Sequence, residues 1–149
     1  MNAESKPVLL VEDNPDDTVL IRHAFSSAKM SNPIETVADG EEAMAYLSGQ
    51  GDYADRRRYP LPAVVLLDLK LPRKSGFDVL AWIRQQPGLE RLPVVVLTCH
   101  TEIPDINDAY DLGANFYLVK SVAFAALQDM VKTIARIISN GGRAERGTR

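Results

Sequence analysis

One carboxylate, Asp68, comes directly after the apolar run Val64–Leu67, and Pro72 follows four residues later. A short unbroken apolar run is typical of a strand that is buried on both faces of a sheet. Asp68 then lies where that strand ends, and in open α/β sheets chemistry collects at the carboxyl ends of the strands. We therefore interpret Asp68 as a nucleophile that accepts a phosphoryl group. The simpler alternative is a carboxylate that caps the following helix or turn.

Polar residues also follow three other apolar runs, at the points where further strands are predicted to end. These residues are Glu12 with Asp13, Thr98, and Lys120. Taken singly, each has a simple structural explanation: a solvated turn, a loop cap or an amine that neutralises acids. Because the carboxyl ends of neighbouring parallel strands meet at one edge of a sheet, the four coincidences together favour a single shared site.

The carboxylates of this predicted site require a cation. Three carboxylates within a few ångströms repel one another and raise each other's pKa unless positive charge lies among them. We expect Mg²⁺, which takes oxygen ligands and keeps several waters. We assign Asp13 and Asp68 as direct ligands and Glu12 as a water-mediated ligand. The backbone carbonyl of Lys70 is expected to be the remaining metal ligand that the protein supplies.

A metal ion beside a carboxylate can also hold a phosphate and cancel charge on its oxygens while Asp68 attacks. Aspartyl phosphates are known covalent intermediates. In this interpretation the Lys120 ammonium supplies a point charge to one phosphoryl oxygen, and the Thr98 hydroxyl donates a hydrogen bond to it.

The rest of the chain predicts the scaffold that positions these residues. Five apolar runs alternate with segments whose apolar residues recur at helical spacing, and the predicted helices begin near residues 15, 41, 77, 105 and 123. This alternation predicts an α/β fold with a parallel sheet covered on both faces and right-handed crossovers. In the first helix, Val19, Leu20, Ala24, Phe25 and Ala28 are expected to form the buried face.

Residues 49–62 form a long connector with two glycines, two prolines and three consecutive arginines, which argues against a packed element. A loop of this length is usually functional or disordered. We interpret the arginine run as a solvated face. The alternative interpretation, that the arginines form a contact surface for an acidic partner, is less favoured.

Composition excludes several classes of function. The chain has 149 residues, enough for one domain, and its net charge of −3 gives no reason to expect nucleic-acid binding. No apolar run approaches the roughly 20 residues of a membrane helix, and the N-terminus does not resemble a signal peptide. The single Cys99 fits a reducing cytoplasm and, with two distant histidines, makes a zinc site unexpected.

Four pieces of the chain resemble the receiver domain of two-component response regulators, and together they span nearly its whole length. They are residues 10–14, residues 67–72 with Gly76 eight residues after Asp68, residues 96–98, and residues 117–120. The resemblance implies a flavodoxin-like five-stranded parallel sheet of strand order 2-1-3-4-5. It also implies phosphorelay signal transduction, in which a sensor histidine kinase passes a phosphoryl group to Asp68.

The resemblance further implies a switch rather than an enzyme acting on other molecules. The Thr98 hydroxyl would move to the phosphoryl group and Tyr117 would turn inward, which remodels the surface of the fourth helix, fifth strand and fifth helix. Two positions depart from the family pattern. Receivers usually have proline, often after a cis bond, where this chain has Ser121, and Cys99 stands where the family favours a small residue.

A narrower resemblance is to stand-alone receivers paired with bacterial phytochrome kinases. It rests on residues 14–17, the long connector and the pair Lys120-Ser121. It implies a single-domain response regulator with a receiver domain at 5–140, a flexible basic tail at 141–149 and no output domain. The expected partners are a histidine kinase, by this likeness a bacteriophytochrome, and a downstream protein. The apolar stripe of the last helix offers a homodimer surface, although such stripes more often pack on the sheet.

Three other functions compete with this interpretation. A magnesium-dependent phosphohydrolase of the haloacid dehalogenase type also uses an aspartate nucleophile, but it needs a second acid where this chain has Lys70. A dinucleotide-binding fold needs glycines after strand one, where residues 12–15 are acidic and contain none. A receiver-like scaffold that binds partners without phosphorylation remains open, although the intact acids and Lys120 argue against it.

Overall fold

The computed structural model describes residues 6–98, 103–120 and 123–139. The strands in these ranges are β1 (Val8–Val11), β2 (Ile34–Val37), β3 (Val64–Leu67), β4 (Val94–Thr98) and β5 (Phe116–Val119). The helices are α1 (Pro15–Ser27), α2 (Gly40–Ser48), α3 (Gly76–Gln85), α4 (Ile103–Asp111) and α5 (Phe124–Ser139). The strands form one parallel sheet of order β2-β1-β3-β4-β5, which confirms the predicted fold class.

Each face of the sheet carries its own hydrophobic core. Alternate side chains of β1, β3 and β4 point to opposite faces, so Leu9 and Leu67 join a core with α2 and α3, while Leu10 and Leu66 join a core with α1 and α5. The side chains of β1 and β3 are therefore buried along the whole of each strand. This double burial is the physical reason why both strands read as unbroken apolar runs.

The apolar stripe of α5 packs on the sheet of its own chain. Its buried residues in the core with α1 are Leu127, Met130, Val131, Ile134, Ile137 and Ile138. The stripe is thus covered within the chain, and dimerisation stays a prediction without support from this surface. No helix in the described part of the chain is both long enough and apolar enough to cross a membrane.

The buried face of α1 differs from the prediction. Ile21, Ala24 and Phe25 are buried, whereas Val19 is 65% exposed and Ala28, at the C-terminal cap, is exposed as well. Ile21, Ala24 and Phe25 are spaced by three and four residues and share one face of the helix, while Val19 is two positions from Ile21 and faces away. The inclusion of Val19 and Ala28 in the buried face was therefore wrong.

The connector between α2 and β3 is packed, which contradicts the interpretation of its composition. Gly51–Tyr53 forms a turn of 3-10 helix. The Arg56 guanidinium donates to the carbonyls of Tyr46 at 2.7 Å and Leu47 at 2.6 Å, so it caps the C-terminal end of α2. Composition could not reveal this role, because it depends on the carbonyls at the end of α2, nine and ten residues earlier in the chain. The neighbouring Arg57 and Arg58 are exposed, as a solvated face requires.

Three tyrosines hold the connector against α2. The rings of Tyr46 and Tyr53 have centroids 5.0 Å apart, and Tyr59 lies 5.0 Å from Tyr53. The Tyr46 hydroxyl donates to the Pro60 carbonyl at 2.9 Å, and the Tyr53 hydroxyl donates to the Glu42 carboxylate at 2.6 Å. Two hydrogen bonds from tyrosine hydroxyls therefore flank the contacts between the rings and hold the cluster in place.

We expect these tyrosines to make the protein sensitive to alkaline pH. Burial raises the pKa of Tyr46 to about 12, and burial together with Glu42 raises the pKa of Tyr53. The unfolded chain loses these protons first, from about pH 10, so the free energy of unfolding falls as pH rises. Between about pH 10 and 12, urea unfolding should show about 1–2 kcal/mol more loss in the wild type than in Tyr46→Phe/Tyr53→Phe. Equal losses in both proteins would contradict this assignment.

Candidate functional site

The carboxyl ends of β1 and β3 bring three carboxylates together. Val11 pairs with Leu67 in the sheet, so the next residues, Glu12 and Asp68, lie side by side. One carboxylate oxygen each from Glu12, Asp13 and Asp68 lies within 4.8 Å of the others. Glu12 and Asp68 are buried and Asp13 is exposed. Oxygen donors at this spacing, open to solvent on one side, fit a divalent cation. The predicted convergence of the carboxylates is confirmed.

Lys120 joins this cluster from the end of β5. Among the described residues, its Nζ contacts the carboxylates of Asp17 at 2.8 Å, Asp68 at 3.0 Å, and Glu12. Burial lowers the pKa of Lys120, but the contacts with Asp17, Glu12 and Asp68 outweigh it, so that the pKa lies above its usual range. The side chain is therefore a permanent ammonium group beside Asp68, as the sequence predicted.

Glu12 lies deepest in the cluster, with only 1% of its side chain exposed. Burial raises its pKa, against the opposing effects of Lys120 and of the Asn14 N–H, which donates to Glu12 Oε2 at 3.1 Å. A carboxylate this buried depends on nearby positive charge to stay ionised, whether from the ammonium group or from a bound cation.

Asp17 is a member of the site that the sequence reasoning missed. An acid in the first turn of a helix is commonly explained by its favourable interaction with the helix dipole, so its place in the helix alone gives no reason to assign Asp17 to the site. The side chain of Asn14 caps α1 and accepts the backbone N–H of Asp16 at 2.9 Å and of Asp17 at 3.4 Å. This cap sets the start of the helix beside the strand ends, from which Asp17 reaches Lys120. One signal in the sequence could have identified Asp17. It lies three residues after the helix cap Asn14, and Asn14 directly follows Glu12-Asp13.

Thr98 ends β4, as predicted, and its backbone pairs with that of Val119, which precedes Lys120. The Thr98 side chain lies outside what the structure describes, so its predicted phosphoryl contact stays a prediction. Cys99 and Ser121, the two departures from the family pattern, also lie outside the described residues.

Of Tyr117 and Lys70, Lys70 contacts the carboxylate cluster, whereas Tyr117 contacts the core and α4. Tyr117 is half-buried and packs against the core that includes α2 and α3. Its backbone N–H donates to the hydroxyl of Tyr110 on α4 at 3.1 Å. The backbone N–H of Lys70 donates to Asp68 Oδ1 at 3.2 Å, which fixes one oxygen of the carboxylate. The metal-ligand role of the Lys70 carbonyl stays a prediction.

Gly76 explains why the segment after Asp68 can fold back on it. A Cβ at this position would lie 2.1 Å from the Asp68 carbonyl oxygen and 2.6 Å from the Leu69 Cα. The Gly76 N–H donates to the Leu69 carbonyl at 2.8 Å, and Ser75 caps α3 by accepting the Asp78 N–H at 3.2 Å. A side chain here would push the loop away from the phosphoacceptor candidate.

Comparison with known proteins gives a consistent result. The family profile of the response regulator receiver domain matches residues 8–132. The response regulator Rcp1 from Synechocystis sp. is 41% identical over 137 residues, which cover 90% of this chain and 91% of Rcp1. The Mn²⁺-bound structure of Rcp1 has a TM-score of 0.76 and covers 87% of this chain and 91% of that one.

Two further solved structures are similar over most of their length. The phosphorylated cyanobacterial phytochrome response regulator RcpA is 40% identical with a TM-score of 0.82, covering 95% of this chain and 99% of RcpA. The bacteriophytochrome response regulator RtBRR is 43% identical with a TM-score of 0.76, covering 88% of this chain and 76% of RtBRR. From its profile match, these relatives and the convergence of its acids with Lys120, the chain belongs to the response regulator receiver family.

Proposed function

We propose that Asp68 accepts a phosphoryl group from a sensor histidine kinase and that the chain relays the signal through a change of its interaction surface. The observation that carries this proposal is the environment of the Asp68 carboxylate. It is buried at the end of β3, one oxygen lies 3.0 Å from the Lys120 ammonium, and two further carboxylates that fit a cation lie within 4.8 Å. This arrangement places positive charge where phosphoryl oxygens must be neutralised.

In the proposed transfer, a carboxylate oxygen of Asp68 attacks the phosphorus of a phosphohistidine. The new P–O bond forms as the P–N bond breaks, and the imidazole leaves with the electron pair and takes up a proton. Lys120 neutralises one phosphoryl oxygen, while the Lys70 N–H holds the other carboxylate oxygen of Asp68 in place. Asp13 and Asp68 would hold a divalent cation directly and Glu12 through water; this cation, which we propose to be Mg²⁺, would supply further positive charge to the phosphoryl group.

The proposed output is a rearrangement of α4, β5 and α5. Thr98 at the end of β4 moves toward the phosphoryl group, and Tyr117 on β5 turns inward. The hydrogen bond from the Tyr117 N–H to the Tyr110 hydroxyl already ties β5 to α4, so a shift of one element is transmitted to the other. A local change of charge would thereby bias a two-state surface.

The kinase partner is proposed from the names of the solved structures that this chain resembles. RcpA and RtBRR are named as phytochrome and bacteriophytochrome response regulators, which supports a bacteriophytochrome kinase as the phosphoryl donor. We propose that the chain acts in the cytoplasm as a signalling phosphoacceptor rather than as an enzyme. The receiver bounds of 5–140, the basic tail at 141–149 and a homodimer stay predictions.

Acetyl phosphate with Mg²⁺ tests this function directly. We expect intact-mass measurement to show one added phosphoryl group that is lost at alkaline pH and never forms in excess chelator, because an acyl phosphate is base-labile and its formation needs the cation. Absence of labelling by both acetyl phosphate and phosphoramidate would favour the unphosphorylated scaffold. Sustained release of phosphate from added phosphomonoesters would favour the phosphohydrolase.

A further inference from the structure

Asp17 contacts Lys120 without belonging to the carboxylates that are grouped for a metal ion. Its Oδ2 lies 2.8 Å from the Lys120 Nζ, and its side chain is 29% exposed, compared with 10% for Asp68. The group of described carboxylates within 4.8 Å of one another consists of Glu12, Asp13 and Asp68. Among the described residues, the Lys120 ammonium thus contacts two carboxylates of the prospective cation site, Glu12 and Asp68, and one carboxylate outside it, Asp17.

The ammonium group and a divalent cation need the same carboxylates. Lys120 contacts both Glu12 and Asp68, and positive charge placed there weakens the attraction of those oxygens for a metal ion. An ammonium group has three N–H donors, and each carboxylate that it contacts takes up part of its charge. A carboxylate outside the metal group therefore competes with Glu12 and Asp68 for the ammonium and reduces the counter-charge that it takes from the oxygens the metal requires.

The fold holds Asp17 firmly in the position that this role needs. Asp17 stands in the first turn of α1, where the Asn14 cap fixes the backbone and the helix dipole favours a negative charge. Apolar side chains, among them Leu20, Leu97 and Met130, line a small cavity that also borders Asp17 and Lys120. Such walls limit solvent screening of the ion pair and strengthen it.

We propose that Asp17 is a positioning residue, which shares the Lys120 ammonium with Glu12 and Asp68 and so lets these two carboxylates turn from the ammonium to a divalent cation. This inference rests on the proposed function, because it requires that the carboxylate group binds a cation. Asp17 acts through Lys120 and does not belong to the carboxylate group assigned to the metal.

Mn²⁺ titration of the whole chain by calorimetry at neutral pH tests the proposal. We expect Asp17→Asn to weaken Mn²⁺ binding by about tenfold, because Lys120 then relies on Glu12 and Asp68 for its counter-charge. The matched control is Asp16→Asn, which removes the same charge from the same helix turn at an exposed position that is not among the contacts of Lys120 in the described residues. Its Mn²⁺ affinity should stay within about twofold of the wild type.

A double-mutant cycle separates an effect through Lys120 from a general effect of charge. In a Lys120→Met background, Asp17→Asn should leave Mn²⁺ affinity unchanged, because the residue through which Asp17 acts is gone. Wild-type affinity in Asp17→Asn, or a tenfold loss that persists in the Lys120→Met background, would overturn the role of Asp17 while leaving the metal site standing. Failure of the wild-type chain to bind Mn²⁺ would overturn the metal site and this proposal together.

Discussion

Replacing Asp68 with asparagine is expected to reduce covalent labelling by acetyl phosphate at least about 1000-fold while the fold persists. Asparagine has nearly the same shape, and its amide oxygen can still accept the Lys70 N–H that now reaches Asp68 at 3.2 Å. An amide is not a nucleophile toward phosphorus at neutral pH, so the transfer step is lost even if a cation and the donor still bind. Intact-mass measurement with saturating Mg²⁺ gives the labelled fraction over time.

Asp13→Asn is the matched control for this experiment. Asp13 belongs to the same carboxylate group but is exposed, and it is assigned as a metal ligand rather than as the nucleophile. Its loss should weaken cation binding, so labelling should slow but continue when Mg²⁺ is raised. Labelling of Asp68→Asn at the wild-type rate would show that another residue is the phosphoacceptor, and complete loss of labelling in Asp13→Asn at all Mg²⁺ concentrations would contradict the assigned division of roles.

The fold and the centre of the site could be predicted because their physical causes are local in the sequence. Strands buried on both faces cannot carry polar residues, so the runs that became β1 and β3 were evident. The polar residue after each run marks a strand end, and parallel strands bring those ends to one edge. Glu12, Asp68 and Lys120 could therefore be grouped before any distance was known.

The features that were missed depend on tertiary contacts. The Asp17–Lys120 pair joins residues 103 positions apart, and it requires the start of α1 to face the end of β5. Arg56 looked like part of a solvated run because the α2 carbonyls that it caps become its partners only after the connector folds back. In both cases a charged side chain pairs with groups that only the folded chain brings within reach, so neither composition nor spacing predicts the contact.

Lys120→Met is expected to lower the free energy of unfolding by about 2–4 kcal/mol in metal-free buffer near pH 7. Methionine retains an apolar chain of similar length, so the main loss is the ammonium group that faces two buried carboxylates. Only 1% of the Glu12 side chain and 10% of the Asp68 side chain are exposed, so solvent compensates them poorly. Lys70→Met, at an exposed lysine in the neighbouring loop, should change stability by no more than about 0.5 kcal/mol.

Two further measurements separate the electrostatic cause of this loss from a packing defect. A divalent cation bound by Glu12, Asp13 and Asp68 replaces the missing positive charge, so saturating Mg²⁺ should restore at least about half of the stability. Removing Lys120 also takes away the interaction that opposes the burial effect on Glu12, so the folded-state pKa of Glu12 rises further. A group whose pKa is raised in the folded state destabilises it as pH rises through that pKa, so the difference from the wild type should shrink as pH falls toward about 4.5. A loss that is independent of both Mg²⁺ and pH would mean that Lys120 stabilises the protein through packing and that the carboxylates do not depend on its charge.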